Sequence, residues 1–294
     1  MEHSQFLKEA AKHQTEFKEK NINKDYKKIP NYPNVKYWLT DEDGEKGKIY
    51  YNGFNILKFV RNRYPNFYDQ RDSNMLRSEH IPFNLFIPFK QNLTFCKQVF
   101  NEFLGNIEAI NDIKIEYAPS PKEKYLNDRT SFDAYIEYTH SDKSKGIIAI
   151  EVKYTEKEYS LKKDSKEAKD IDNEKGRYYF ITEKCGIYKP NVIDKLKTDL
   201  FRQIWRNHLL VESILYEDKD KFKHAHSFIF YPNDNEHFTH VEKEYSEMLI
   251  NNSDNKFGLV TFENFIEKCK KYCPDKEFEK WIDYLQERYI IQWK

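Results

Sequence analysis

The 294-residue sequence contains few glycines, few cysteines and no excess of charge of either sign. Its eight glycines are never spaced as G-x-G-x-x-G or G-x-x-x-x-G-K, which excludes the common dinucleotide-binding turn and the P-loop. Four cysteines do not make a disulfide framework, so we expect a reducing, cytoplasmic environment. Lysine plus arginine total 49, as do aspartate plus glutamate. This zero net charge argues against a polycation that coats nucleic acid, but it leaves room for a local basic cleft.

Long apolar runs are also missing. No stretch approaches the roughly 18 residues of a membrane span, so we expect no membrane partner. The polar N-terminus does not resemble a signal peptide. The 22 Phe, 22 Tyr and 4 Trp residues provide enough apolar surface for a substantial core, and no linker or repeat divides the chain. We therefore predict a single domain over residues 1–294.

The periodicity of apolar residues predicts the order of the elements. It indicates a helix over 93–103, strands over 113–118, 132–139 and 146–153, a helix over 194–216, a strand over 226–231 and two helices over 256–289 that separate near Pro274. The strand over 146–153 has a continuous apolar run, typical of a strand buried on both faces. This order predicts an α/β fold, a mixed sheet flanked by helices.

The most informative triplet is Glu151, Val152 and Lys153. Other (D/E)-x-K triplets in this highly charged chain lie in polar stretches or at the edges of elements, whereas this one ends an apolar strand. Because side chains alternate along a strand, Glu151 and Lys153 point to the same face. Burying two charges costs desolvation energy, and an active site is one reason for a protein to accept that cost. The alternative is a buried structural ion pair.

Asp133 opens the preceding predicted strand. If the two strands form an antiparallel hairpin, the start of one lies beside the end of the other, and Asp133 lies next to Glu151 and Lys153. Two close carboxylates suit Mg²⁺ or Mn²⁺, with water and a substrate phosphate completing the coordination. The lysine can orient or help to deprotonate the attacking water and offset negative charge in the transition state. The three residues therefore make a minimal metal-dependent phosphodiesterase site.

Two segments that carry these residues, RTSFDAYIEY and GIIAIEVKYTE, resemble the catalytic hairpin of the PD-(D/E)XK nuclease superfamily. The resemblance implies a restriction-endonuclease-like core of order α-β-β-β-α-β. It assigns metal ligation to Asp133 and Glu151 and catalysis to Lys153, with Phe132 in place of the eponymous proline. The core would cover residues 76–232, with an N-terminal extension over 1–75 and a C-terminal helical extension over 233–294. The strings SEHIPFNLFIPF and LFRQIWRNHLLVESILY resemble a group of bacterial proteins described as candidate restriction endonucleases.

The resemblance also implies two secondary site residues. Members often carry a glutamate on the first core helix that completes the metal site, and by placement this is Glu79. The alternative is a surface carboxylate. Relatives of the RecB type carry a glutamine on the helix after the catalytic strands, and this is Gln203, assigned to catalysis. Arg206 and Asn207 follow on the same helical face as candidate substrate-binding residues, against the alternative of a structural hydrogen-bonding face.

The sequence thus predicts a Mg²⁺-dependent endodeoxyribonuclease, a restriction or defence enzyme with DNA as its partner. A homodimer would suit cleavage of both strands. One alternative is a catalytically silent module of the same fold that binds nucleic acid or protein, and another is a hydrolase acting on RNA or a nucleotide. His224 and His226 share a strand face and could bind metal, although a satisfied strand surface is favoured.

Overall fold

The computed structural model describes residues 3–30, 35–156, 161–162, 165–250 and 257–291. The described residues form a sheet of order β1-β2-β3-β4-β5. Its strands are β1 (Ile107–Tyr117), β2 (Phe132–His140), β3 (Lys145–Val152), β4 (His224–Tyr231) and β5 (Phe257–Thr261). β1, β2 and β3 pair in antiparallel fashion, and β4 and β5 add in parallel to β3. The long connection from β3 to β4 carries helices, as a parallel crossover requires.

Helices cover both faces of this sheet and precede and follow it in the chain. In chain order they are α1 (His3–Asn21), α2 (Asp41–Glu45), α3 (Ile56–Arg63), α4 (Asp69–Asp72), α5 (Ile81–Phe86), α6 (Leu93–Leu104), α7 (Lys166–Asp172), α8 (Arg177–Lys184), α9 (Ile193–Leu196), α10 (Arg202–Glu217), α11 (His237–Ser246), α12 (Phe262–Lys271) and α13 (Lys276–Tyr289). None of the helices in the described ranges is long and apolar enough to cross a membrane.

Alternation along the strands divides the core into two layers. Ile148 and Phe230 face α5, α6, α12 and α13, where Phe86 stacks edge-on against Phe230 at 5.4 Å between ring centroids. Ala149 and Ile229 face the opposite layer, formed mainly by α8, α10 and α11. β3 is buried on both sides from Gly146 onward, as its continuous apolar run predicts. Odd-numbered positions of β3, including Glu151, therefore face α10.

The N-terminal helix and the segment before α5 pack against the chain that leaves β3. Gln14 in α1 donates to the hydroxyl of Tyr154 at 2.8 Å. The backbone N–H and hydroxyl of Ser78 both donate to one carboxylate oxygen of Glu156, at 2.8 and 3.0 Å. These bonds join the N-terminal region to the residues that directly follow Lys153.

The predicted α/β fold, with its order of helix, three strands, helix and strand, is confirmed, but details differ. The prediction of helix from residue 256 is wrong over β5 and α12 begins only at Phe262, because five residues that include Gly258 are too short for a clear alternating pattern. The predicted helix over 194–216 is broken: α9 ends at Leu196 and α10 begins at Arg202. Leu196 and Phe201 are both buried in one layer, whereas in a continuous helix they would lie about 140° apart.

The helix predicted over 93–103 is α6, which begins after the cap residue Asn92 and ends at Gly105 in the left-handed region. Cys96, Val99 and Phe100 are buried along it, as the periodicity predicts. Leu93, at the first position of α6, is 37% exposed.

Candidate active site

Asp133 lies at the start of β2, beside the end of β3. The hairpin register pairs Ala134 with Ile150, so Asp133 stands one position further on, opposite Glu151. One carboxylate oxygen of Asp133 accepts a hydrogen bond from the backbone N–H of Val152 at 2.6 Å. The antiparallel hairpin therefore brings Asp133 to the acidic end of β3, and its side chain is fixed there by the backbone of that strand.

Glu151 is the centre of a hydrogen-bond network. Its Oε1 accepts from the Nζ of Lys153 at 2.6 Å and from the Nε2 of Gln203 at 2.7 Å. Its Oε2 accepts from the Nδ2 of Asn207 at 2.6 Å. Glu151 and Lys153 are only 9% and 8% exposed. Because these donors fix both oxygens, the carboxylate has a single orientation, with its charge compensated by a buried ammonium group.

Two helical positions supply the amide donors. Gln203 and Asn207 are four residues apart in α10, so they lie on the same helical face, which packs on the odd-numbered positions of β3. They line a small cavity together with Glu151 and Lys153, and its far side is closed by apolar groups such as Ile229. Its volume of about 20 Å³ is enough for one water molecule, which polar neighbours on one side can bind.

Burial and neighbouring charge shift the pKa values of this site in opposite directions. Burial, together with the negative charges of Glu151 and Glu116, raises the pKa of Asp133 well above its ordinary value. Burial disfavours the charged form of Lys153, but the carboxylates of Glu151 and Asp133 outweigh it and raise the pKa of the lysine. The neighbouring carboxylates therefore favour the charged form of Lys153, and they repel one another.

Glu116 is a third carboxylate at this site, and the sequence analysis missed it. It lies between Ile115 and Tyr117, which pair with Ala134 and Phe132, so in β1 it stands opposite Asp133. Its φ of 55° is in the left-handed region, which turns its side chain away from the regular alternation of the strand. Burial and the charge of Glu151 raise the pKa of Glu116 to about 7. A left-handed backbone conformation at a glutamate leaves no signal in the sequence.

Glu79 lies at the edge of the same acidic group. Its carboxylate accepts from Arg77 at 3.0 and 3.2 Å, and its charge contributes to the raised pKa of Glu116. It precedes α5 rather than lying on a helix, and its side chain is 35% exposed. Hydrogen bonds from neighbouring Ser78 to Glu156 hold it near the end of β3. Metal binding by Glu79 stays a prediction.

Arg206 points to a different part of the molecule from Gln203 and Asn207. Its guanidinium contacts Asp128 at 3.1 Å and the hydroxyl of Thr130 at 2.7 Å, and it also pairs with Glu167. It lines a polar cavity of about 360 Å³ whose other walls include Lys122, Arg129 and Lys166. Arg206 thus has a structural role in ordering the chain that leads into β2, while its predicted contact with substrate stays a prediction.

The family model described as PD-(D/E)XK nuclease superfamily matches residues 3–291 of the chain, nearly its whole length. No curated protein and no solved structure matches the sequence.

Proposed function

The chain belongs to the PD-(D/E)XK nuclease superfamily, and on this basis we propose that it is a metal-dependent endonuclease that hydrolyses DNA phosphodiester bonds. The observation that carries this proposal is the junction of Asp133, Glu151 and Lys153 at one end of the central hairpin. Buried carboxylates beside a charged lysine are costly for a purely structural core, and they suit phosphoryl chemistry. A role in restriction or defence is part of the proposal.

The donor set fits a divalent cation. Asp133 and Glu151 would bind Mg²⁺ or Mn²⁺, with Glu116 as a neighbouring negative charge and Glu79 as the further ligand that the resemblance predicts. The raised pKa values of Asp133 and Glu116 reflect mutual repulsion, which a cation between the carboxylates relieves. When bound, the metal supplies Lewis-acid stabilisation of the charge on the phosphate and lowers the pKa of water.

Lys153 acts as a cation in this scheme rather than as a general base. Its pKa lies above the ordinary lysine value, so it keeps its proton at neutral pH. Its ammonium can donate hydrogen bonds to the attacking water and to a phosphate oxygen, which stabilises the charge that develops in the transition state. Gln203 and Asn207 position Glu151 through its two oxygens, so their contribution to catalysis is orientation.

DNA is the proposed substrate, and membership of a nuclease superfamily supports a nucleic-acid partner. Lys122, Arg129 and Lys166 line the cavity next to the loop that leads into β2, beside the acidic Asp128, Glu167 and Asp170, and these three cations can contact phosphates along the strand. Because the total charge is zero, binding would depend on such local groups rather than on the protein as a whole. A homodimer remains part of the proposal, as a means of cutting both strands.

The test is incubation of the purified chain with supercoiled plasmid, with Mg²⁺, with Mn²⁺ and with a chelator. We expect conversion to nicked and linear forms with either metal and none with the chelator. Asp133→Asn and Lys153→Met should abolish it, whereas Asp112→Asn on β1 and Lys145→Met at the exposed start of β3 should not. Asn is preferred at position 133 because its oxygen can still accept from Val152.

Two results would count against the proposal. Unchanged cleavage by both Asp133→Asn and Lys153→Met would exclude this site as the source of the activity. If the folded, metal-supplied protein cleaves neither DNA nor RNA, the chain is instead a binding module that retains the nuclease fold. Cleavage of RNA but not of DNA would keep the chemistry and change the substrate.

A further inference from the structure

A second group of metal-ligand side chains lies at the opposite end of the sheet from Asp133. It consists of His140 at the end of β2, Asp142 in the turn before β3, and His224 at the start of β4. Seven residues of extended strand separate Asp133 from His140, a distance of about 23 Å. The group is therefore independent of the proposed active site.

The two imidazoles meet although β3 lies between their strands. The register aligns Tyr138 of β2 with Gly146, and Gly146 with His224 of β4. A Cβ atom on Gly146 would lie 2.2 Å from the ring of Tyr138, so the glycine leaves room for that ring. His140 and His224 stack, with ring centroids 3.8 Å apart and 21° between the ring planes.

Asp142 bridges the two rings. One of its oxygens lies 3.0 Å from Nδ1 of His140 and the other lies 3.0 Å from Nε2 of His224. The backbone N–H of Ser144 donates to the same carboxylate at 2.8 Å, which holds it in place. One ligand atom from each of the three residues lies within 4.8 Å of the others. Two atoms that are each about 2.1 Å from a tetrahedral ion are about 3.4 Å apart, so the spacing is close to that of a metal site.

We propose that His140, Asp142 and His224 bind a divalent transition-metal ion, with Zn²⁺ the best match, and so join the β2–β3 turn to the start of β4. Imidazole nitrogens select transition metals over Mg²⁺, which prefers oxygen, and water completes a four-coordinate site. The stacked rings reach a common ion by turning about their Cβ–Cγ bonds. Side-chain exposures of 17% for His140 and 30% for His224 leave room for this rotation.

The test is calorimetric titration of the full-length protein with Zn²⁺ in excess Mg²⁺, which occupies oxygen-donor sites. We expect one Zn²⁺ per wild-type chain. His140→Ala and His224→Ala should each weaken binding at least about tenfold, since loss of even an outer-shell partner changes metal affinity by about 10–100-fold. His226→Ala is the matched control, because His226 is the next histidine on the same face of β4. This variant should bind Zn²⁺ with unchanged affinity.

Co²⁺ provides a second measurement, because nitrogen ligands and low coordination number give distinct visible absorption bands. Circular dichroism checks that each variant is folded. If His140→Ala does not fold, Asp142→Asn in the exposed turn takes its place. No Zn²⁺ binding by the wild type in excess Mg²⁺ would overturn the proposal, as would unchanged affinity in the ligand variants. Zn²⁺ binding is measured without DNA, so this test does not depend on the nuclease proposal.

Discussion

Replacement of Glu116 by glutamine removes one of the mutually repelling carboxylates and keeps the shape of the side chain. The pKa of Glu116 is raised to about 7 from an ordinary value of 4.5. Below about pH 4.5 the group is protonated in the folded and unfolded chains alike. Between about 4.5 and 7 the unfolded chain releases this proton while the folded chain retains it, so folding stability falls as pH rises. The loss is complete above about pH 7.

A shift of about 2.5 pKa units corresponds to about 3 kcal/mol as an upper limit. Glu116 is partly exposed, and solvent screening reduces the expected gain of Glu116→Gln to about 1–2 kcal/mol at pH 8. Urea unfolding in a chelator should show this gain at about pH 8 and almost none at about pH 4. Glu108→Gln, on the same strand but paired at the surface with Lys143, is the control and should change stability by less than about 1 kcal/mol.

In Mg²⁺ the wild type should instead be more stable than Glu116→Gln. A cation between the carboxylates stabilises the wild type by mass action, and the variant, with one negative charge fewer near the cation, should gain less from the same Mg²⁺ concentration. The reasoning is refuted if Glu116→Gln is no more stable than the wild type at about pH 8 in chelator. It is also refuted if the gain is the same at about pH 4, since Glu116 would then act through packing rather than charge.

Three other substitutions give separate checks. Gln203→Ala should lower the cleavage rate while thermal unfolding stays near wild type, because one of the donors that orient Glu151 is lost; full wild-type turnover would assign Gln203 a purely structural role. Arg206→Met should cost about 3–5 kcal/mol in urea unfolding, since Asp128 and Glu167 lose their buried cation; a loss below about 1 kcal/mol would contradict this. Gly146→Ala should cost about 1–3 kcal/mol, because the new methyl group meets the ring of Tyr138, and unchanged stability would show that this ring can move.

The part of the site that follows from simple periodicities could be predicted. Alternation places Glu151 and Lys153 on one face, and antiparallel pairing brings Asp133 to them; both effects are local. The four-residue spacing of Gln203 and Asn207 places their amides on one side of α10. The same rule was too coarse for Arg206, which lies about 100° around the helix from Asn207 and contacts other partners.

The other features of the structure leave no local pattern in a single sequence. Glu116 joins the carboxylates through a left-handed backbone conformation. The sequence suggested His224 together with His226, whereas the structure brings His224 to His140. That contact requires the parallel crossover that places β4 beside β3, so it depends on the register of three strands at once. Long-range register of this kind is set by the whole core.

The three hydrogen-bond donors to Glu151 affect how the protein folds before it binds a metal ion. Lys153, Gln203 and Asn207 satisfy the carboxylate as the chain folds, so assembly of this end of the sheet need not wait for a cation. Proteins in which the metal organises its own ligands are unfolded without it. Here the newly made chain can instead fold in a metal-poor environment. If the chain is the metal-dependent nuclease proposed above, the availability of the ion determines when cleavage begins and does not determine whether the protein folds.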